Sequence, residues 1–437
     1  MISDAQIPEI EQYRTFETTV PFSQEHNFER LVVSNDNDLT PIHRWFKFKE
    51  GFSHKLLQHI INTQFEKRPT RLVMLDPFCG SGTTVLSAQE CNSKTLEITA
   101  IGIERNPFIA FVAETKCGWH LVDPELLLSL CKRALEARPS TSCIPELSSI
   151  QQERCISRHM TRRIITFRDF ILKQPNDITR KAALLALAAS IEPVSKVRKD
   201  GRALRIVGNK NVRFDQVVLE RANRMADDIR TTKITAENIP LSRILLGDGR
   251  DPIASGITDN SIDLTITSPP YPNNIDYTEV YKLELWLLGF INTISDFYNL
   301  RHMTLRSHPI IDRSDGEFDE LDRGNLRHIL LPLLRRISST ERWRSEMLQA
   351  YFLDLAQSLN NQFKCLRCGG LAVFVVGNSL HGGNTNPILV ATDLILAELA
   401  AQAGFEIVQI KAARGLKRRL TGNHFLRESL VVLRKPL

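Results

Sequence analysis

Arg71-Leu-Val-Met-Leu-Asp-Pro-Phe-Cys-Gly80-Ser-Gly-Thr-Thr-Val85 reads as a buried strand, a glycine-rich turn and the start of an apolar helix that runs through Ala88. A glycine turn between strand and helix lets a ligand approach the backbone closely, as in dinucleotide-binding folds. Two ligands are excluded by what the turn lacks. No Lys follows Gly82, as a P-loop requires, and the third glycine of the dinucleotide fingerprint is missing. About twenty residues on, Thr99-Ala-Ile-Gly-Ile103 reads as a second strand ending at Glu104, a carboxylate able to accept both hydroxyls of a ribose.

A third strand, Arg243-Ile-Leu-Leu246, ends in Gly247-Asp248-Gly249, and Asp248 is a candidate acceptor for an adenine amino group. A fourth, Ile262-Asp-Leu-Thr-Ile-Thr267, ends in Ser268-Pro269-Pro270-Tyr271. This last tetrapeptide answers a chemical problem. An exocyclic amino group is a poor nucleophile because its lone pair is delocalised into the base. The Ser268 hydroxyl and the Pro269 carbonyl can each accept one of its N–H groups and favour a pyramidal nitrogen, while the Tyr271 ring stacks on the base and its hydroxyl is dispensable. The prolines stiffen the loop without adding N–H donors. Ligands of open α/β sheets gather at strand carboxyl ends, where all four of these features fall.

In this order, the motifs resemble the DNA amino-methyltransferases of the N4-cytosine/N6-adenine group. Asp76 to Thr84 is similar to the family's cofactor loop, Glu104 to its ribose acid, Asp248 to its adenine-side acid and Ser268–Tyr271 to its catalytic loop. His43-Arg-Trp-Phe-Lys-Phe-Lys-Glu-Gly-Phe-Ser53 resembles the segment that covers the methionine end of the cofactor. The resemblance implies a Rossmann-like α/β fold with a seven-stranded sheet. It also implies S-adenosylmethionine as cofactor, bound by Asp76, Phe78, Gly80, Gly82, Thr83, Glu104 and Asp248, and DNA as partner. Ser in the first catalytic position is common among N4-cytosine members, so cytosine N4 on a flipped-out base is the expected acceptor. Adenine N6 is the nearest alternative, followed by guanine N2 or another RNA amino group; the rival of another class is a catalytically idle DNA-binding module. Methylation at cytosine carbon 5 is excluded, because none of the twenty prolines precedes the Cys that such chemistry needs.

Those anchors divide the chain. Residues 1–40 form an N-terminal extension, and 41–120 with 241–437 the catalytic domain. Within the latter, the amphipathic stretch 277–288 and segments 342–364 and 388–403 are expected helices, while 371–376, 405–410 and 429–433 are expected strands. Two insertions interrupt it. The polar stretch 292–340 carries His302, Arg306, His308 and the acidic run Asp312–Asp322. The larger, 120–240, reads as helical, and from Arg154 to Lys233 it holds 19 Lys/Arg against 8 Asp/Glu, a net of +11 in a chain of +6. A basic module on a core of −5 points to contact with a phosphate backbone, and Arg198, Lys199, Arg202 and Arg205 are its candidates. The basic tip Arg414–Arg419 is another.

Composition is that of an ordinary globular protein, 42% hydrophobic and 24% charged. No apolar run reaches transmembrane length and the first thirty residues lack a signal-peptide core, so a cytoplasmic location without membrane contact is expected. Eight irregularly spaced cysteines read as reduced thiols, the Cys365–Cys368 pair has no second pair near it, and no histidines have ligand spacing, so no metal is expected. A cognate restriction or defence nuclease is a candidate partner.

Overall fold

The computed structural model describes residues 7–24, 28–65, 67–144, 152–175, 177–200, 204–232, 239, 242–273, 275–308, 329–339, 342–381, 387–416 and 424–437. Its strands are β1 (Phe22–Gln24), β2 (Arg71–Asp76), β3 (Glu97–Glu104), β4 (Val197–Lys199), β5 (Leu204–Ile206), β6 (Ser242–Leu246), β7 (Ile262–Thr267), β8 (Leu366–Gly377), β9 (Ser379–His381), β10 (Ile388–Val390), β11 (Glu406–Gly415) and β12 (Arg427–Arg434). Eight form one sheet in the order β1-β11-β12-β8-β7-β2-β3-β6. The five strands from β8 to β6 are parallel, and β12 runs antiparallel to both β8 and β11. This is the Rossmann-like arrangement, with one strand more than the expected seven: β1 adds to the edge parallel to β11, Phe22 opposite Ile410.

Alternation along a doubly covered strand feeds two cores. On β8, Leu371, Val373 and Val375 enter one core, and Ala372, Phe374 and Val376 the other. Helices Thr83–Cys91 and Pro107–Cys117 cover the first face, Arg342–Cys365 and Thr392–Gln402 the second. Two expected helices come out differently. Ile388–Val390 pairs antiparallel with β9, so the 388–403 helix starts only at Thr392; the 277–288 stretch breaks at Tyr281 (φ −106°, ψ 17°) into Tyr277–Val280 and Lys282–Leu287. No described helix is long and apolar enough to cross a membrane.

Between β3 and β6 the chain forms helices Pro124–Leu135, Arg158–Leu172, Ile178–Val194 and Phe214–Thr231, with the β4–β5 hairpin between the last two. Asp123 caps the first, accepting from the Glu125 and Leu126 N–H groups ahead of Pro124, and Ser157 and Asp177 cap the next two.

Residues 42–54 are fastened from both sides. On the insertion helix, the buried Asp228 accepts from the Ile42 N–H (3.2 Å), Arg44 Nε (3.1 Å) and Trp45 Nε1 (3.1 Å). Ile42 is held at φ +65°, a costly conformation for a β-branched residue, and its N–H aims at that carboxylate. On helix Thr83–Cys91, Glu90 bonds His43 Nε2 (3.1 Å) and His54 Nδ1 (2.9 Å). Burial pushes the His43 imidazole down to about 4. Burial alone would raise Glu90, but its bonds to His43 and His54 outweigh that and bring it to about 2.

Both shifts make the unfolded chain bind more protons than the folded one, so stability rises with pH across each window. The segment's hold is expected to weaken as pH falls from about 6.5 to about 4, with the His43 contribution worth up to about 3 kcal/mol; Glu90 adds a further loss below its ordinary carboxylate value. Urea unfolding between pH 7 and pH 4 measures this. His43→Gln, which keeps a donor for Glu90 but does not titrate, should flatten the upper part of the profile; an unchanged profile would remove His43 as the cause.

Candidate active site

From the centre of the sheet, β2, β3 and β6 succeed one another in one direction and β7 and β8 in the other, so the strand order reverses between β2 and β7. Loops diverge at such a point and leave a crevice beyond the strand carboxyl ends. Asp76 ties its floor together. The carboxylate is buried and accepts from Thr84 Oγ1 (2.5 Å) in the helix after the glycine turn, from Thr267 Oγ1 (2.8 Å) at the end of β7, and from the Phe78 N–H (3.1 Å). Burial raises its carboxyl to about 6 even though all three bonds favour the anion. Asp76 therefore joins the two loops and does not itself line the crevice.

Above it lies a cleft with about 800 Å³ of empty space, part of it open to solvent. Of the residues expected to bind cofactor, Phe78, Gly80, Glu104 and Asp248 line it; Ser268 and Pro270 of the catalytic loop line it as well. Gly80 has φ +51°, and a Cβ there would sit 2.9 Å from Phe48 of the covering segment, so the turn and its cover close on each other only without a side chain. Gly82 (φ +81°) instead makes room for helix Pro107–Cys117, where a Cβ would lie 3.0 Å from Ala113, and Thr83 is buried in the helix start. The buried Lys116 donates to the Ser81 carbonyl (2.9 Å) and steadies the turn from below.

The two acids sit in unlike surroundings. Glu104 accepts the Gly80 N–H (3.0 Å) on one oxygen and the Asn106 N–H (2.8 Å) on the other, yet burial outweighs these bonds and raises it to about 7. Each oxygen keeps a lone pair for a ligand. For Asp248, burial alone would raise the carboxyl, but Arg250 bonds both its oxygens (3.0 and 2.7 Å) and holds it below its ordinary value; Arg250 also reaches Asp354 (3.1 Å). Glu50 of the covering segment, Asn106, Tyr277 and His308 also line the cleft, and the sequence motifs singled out none of them for a role of its own. Asn106 carries a legible signal, being an N-cap before Pro107 that accepts from the Phe108 and Ile109 N–H groups. His308 comes from the polar insertion; the acidic run 312–322 lies outside the described residues.

Tyr271 differs from the expectation. It does not line the cleft: its ring lies against β8, where a Cβ on Gly377 would meet it at 2.8 Å, and its hydroxyl donates to Glu428 Oε1 (2.8 Å) on β12. Ser268 Oγ in turn donates to the Tyr271 hydroxyl (3.3 Å), and Arg414 Nε donates to Glu428 Oε2 (2.6 Å). Protons in this chain all point toward Glu428. Ser268 is thus left with its lone pairs free, which makes it an acceptor toward the cleft. Pro269 is buried behind the lining residues.

The basic candidates also separate. Arg198 and Arg205 are exposed on the β4–β5 hairpin; Arg202 lies outside the described residues, as do Lys417 to Arg419. Lys199 departs from its expected role as a phosphate contact. It is buried, donates to Glu284 Oε1 (2.5 Å), and sits over the rings of Phe46 (5.0 Å) and Tyr281 (4.4 Å). Its ammonium is committed to that carboxylate. Among the described residues, one group of metal-ligand type comes together: His43, His54 and Glu90, donor atoms within 4.8 Å of one another, which serve to fasten the cover.

A family model described as DNA methylase, of the N6/N4 group, matches residues 9–114, the stretch that holds the cover, the glycine turn and Glu104. The chain is 26% identical to Type II methyltransferase M.BsoBI of Geobacillus stearothermophilus, over 98% of this chain and 93% of that protein. It is 25% identical to Type II methyltransferase M.AvaI of Nostoc sp. strain PCC 7120, over 93% and 89%. Among solved structures it matches a DNA modification methylase of Thermus thermophilus complexed with S-adenosyl-L-methionine, at 16% identity over 44% of this chain and 54% of that one, with a TM-score of 0.24. The chain is thus similar to N6/N4-type DNA methylases over residues 9–114 and to Type II methyltransferases over nearly its whole length.

Proposed function

We propose that this protein transfers the methyl group of S-adenosylmethionine to an exocyclic amino group of a flipped-out DNA base, with cytosine N4 as the acceptor. The observation that carries the reading is the pairing, in one cleft, of a ribose-type acid with an oriented acceptor: Glu104 on one wall and Ser268 on the other. The fit is chemical as well as spatial. Glu104 takes the ribose hydroxyls, Phe78 and Asp248 flank the adenine, and Glu50, in the cover, supplies the negative charge that suits the methionine ammonium. The bound cofactor supplies a methyl carbon on a sulfonium.

The residues of the chain act on the nitrogen that attacks it. Because the Ser268 hydrogen is spent on Tyr271, its oxygen accepts from the base amino group; Pro269, buried and outside the cleft lining, is left out of this step. This bond strengthens as the nitrogen becomes pyramidal, so it stabilises the transition state more than the bound base. The nitrogen would take up the methyl carbon with the thioether as leaving group, and would release one proton to solvent. The preference for cytosine rests on the serine at the head of the catalytic loop. Similarity to Type II methyltransferases makes the protein, on this reading, the modification partner of a cognate nuclease in the cytoplasm.

Nucleoside mass spectrometry of DNA incubated with the protein and isotopically labelled cofactor tests the acceptor. Labelled N4-methylcytosine is expected; labelled N6-methyladenine would move the reading to adenine, and no label in any base would sink it. In single turnovers Ser268→Ala should lose about 10²–10³ of the rate, about 2.7–4 kcal/mol of barrier. Glu428→Gln and Tyr271→Phe, which break the proton chain further out, should each lose about tenfold, near 1.4 kcal/mol. All three should keep cofactor affinity. Wild-type turnover in Ser268→Ala would show that the loop is only a stiff turn.

Cofactor affinity carries its own pH signature. The anionic form of Glu104 accepts the hydroxyls, and its carboxyl sits at about 7 in the free protein. Affinity should therefore be full above that pH and fall as acid protonates the group, because binding to the anion pulls against the proton. Calorimetric titration between pH 6 and 8.5 measures it. Glu104→Gln should bind more weakly by about 1–3 kcal/mol with the pH dependence gone. An unaltered affinity in the folded variant would take Glu104 out of the site.

A further inference from the structure

A second cleft, with about 1180 Å³ of empty space and open to solvent, lies on the other side of the covering segment from the cofactor cleft. Its walls are helices Ile178–Val194 and Phe214–Thr231, the β4–β5 hairpin, and residues 44–47 of the cover. Seven cations line it, and four are neutralised: Arg44 by Asp228, Lys47 by Asp38, Lys199 by Glu284 and Arg224 by Glu220. The other three, Arg198, Lys210 and Arg221, have no carboxylate ion pair among the described residues. Arg221 has its Nε buried without a hydrogen-bond partner, and burial together with the neighbouring Arg224 pulls its guanidinium down. Lys210 donates to the Glu192 (2.7 Å) and Val197 (2.5 Å) carbonyls; burial pulls its ammonium down, the Glu192 carboxylate, also in the lining, offsets its charge in part, and Arg198 opposes it.

The hairpin repeats the pattern. Arg198 stands directly opposite Arg205 across the antiparallel pair, on one face, where like charges repel. The acid nearest Arg205 is Asp200 at 3.9 Å, a loose exposed contact worth little. Unneutralised cations held side by side, some without water, are costly unless an anion completes them.

We propose that this cleft and hairpin form a clamp for phosphodiesters of the DNA strand beside the target base. The clamp rests on the DNA reading above. Phosphate is the shared chemistry, and two features favour a polyanion over a free phosphate ion. Arg198, Lys210 and Arg221 line the cleft and the hairpin adds exposed Arg205 opposite Arg198, more cations than one ion needs. The cover also divides the two clefts: Phe46 and Lys47 face the basic one, Phe48 and Glu50 the cofactor, so a backbone held here runs next to the reacting base.

The test follows duplex binding by fluorescence anisotropy from about 50 to about 200 mM KCl, where the slope of log affinity on log salt falls by roughly 0.9 for each phosphate no longer neutralised. Arg198→Gln/Arg205→Gln, changed only at exposed positions, should reduce the slope by about 1.8, and Arg221→Gln by about 0.9. Cofactor affinity, measured by calorimetry, should stay at the wild-type value and confirm the fold. Wild-type slopes in both variants would overturn the clamp while leaving methylation of DNA intact. Inorganic phosphate binding tightly to the wild type but not to Arg221→Gln, with the DNA slopes unchanged, would make this a free-anion site and likewise overturn it. A wild-type protein that neither binds nor methylates duplex DNA would fell the DNA reading and the clamp with it.

Discussion

The site depends on one buried carboxylate at the reversal of the sheet. Asp76 ends β2, and its two oxygens hold the helix of the glycine turn through Thr84 and the end of β7 through Thr267. The first of these elements shapes the wall for the cofactor, and the second leads directly into Ser268. A hydrogen bond to a charged group contributes about 1.5–3 kcal/mol, and stranding the partners of a buried carboxylate costs more. The distance between donor and acceptor loops is thus set by a few ångströms of hydrogen bonding. Glu104 repeats the device one strand over, since the Gly80 N–H binds the same carboxylate that faces the cleft.

The covering segment is the second constraint, and it looks both ways. Asp228 anchors it to the insertion and Glu90 to the helix of the glycine turn, so the insertion and the sheet share one strap. Phe48 stacks on Tyr281 (5.8 Å between ring centroids, 10° between planes), and Phe46 packs near the same ring. Beneath them Lys199 and Glu284 form a buried pair. Such a pair adds little net stability but penalises any packing that separates its members.

Sequence patterns of short range carried the centre of the fold. The strands at 71–76, 97–104 and 262–267 are buried along most of their length because each is covered on both faces, and the motifs at their ends needed only local backbone geometry to line a cleft. Gly80, Phe78, Glu104, Asp248 and Ser268 meet in space because parallel strands bring their carboxyl ends to one edge. The departures are equally physical. Ile388-Leu-Val390 is an apolar run whose periodicity does not separate helix from strand, and pairing with β9 decided it. β1 is three residues long and exists because β11, far along the chain, offers an open edge.

Side-chain partners are what the sequence by itself left undetermined. Its residue types and spacings pointed to a strand–turn–helix cofactor loop, a candidate ribose acid, a candidate acceptor loop and a basic insertion. Only the tertiary structure decided that the Tyr271 hydroxyl belongs to Glu428, 157 positions away, and Lys199 to Glu284, 85 positions away. It also left Arg198, Lys210 and Arg221 as the cations lining the basic cleft without a carboxylate among the described residues. The reason is that charge and hydrogen-bonding capacity are properties of a residue, whereas their satisfaction depends on which distant elements the fold packs beside it.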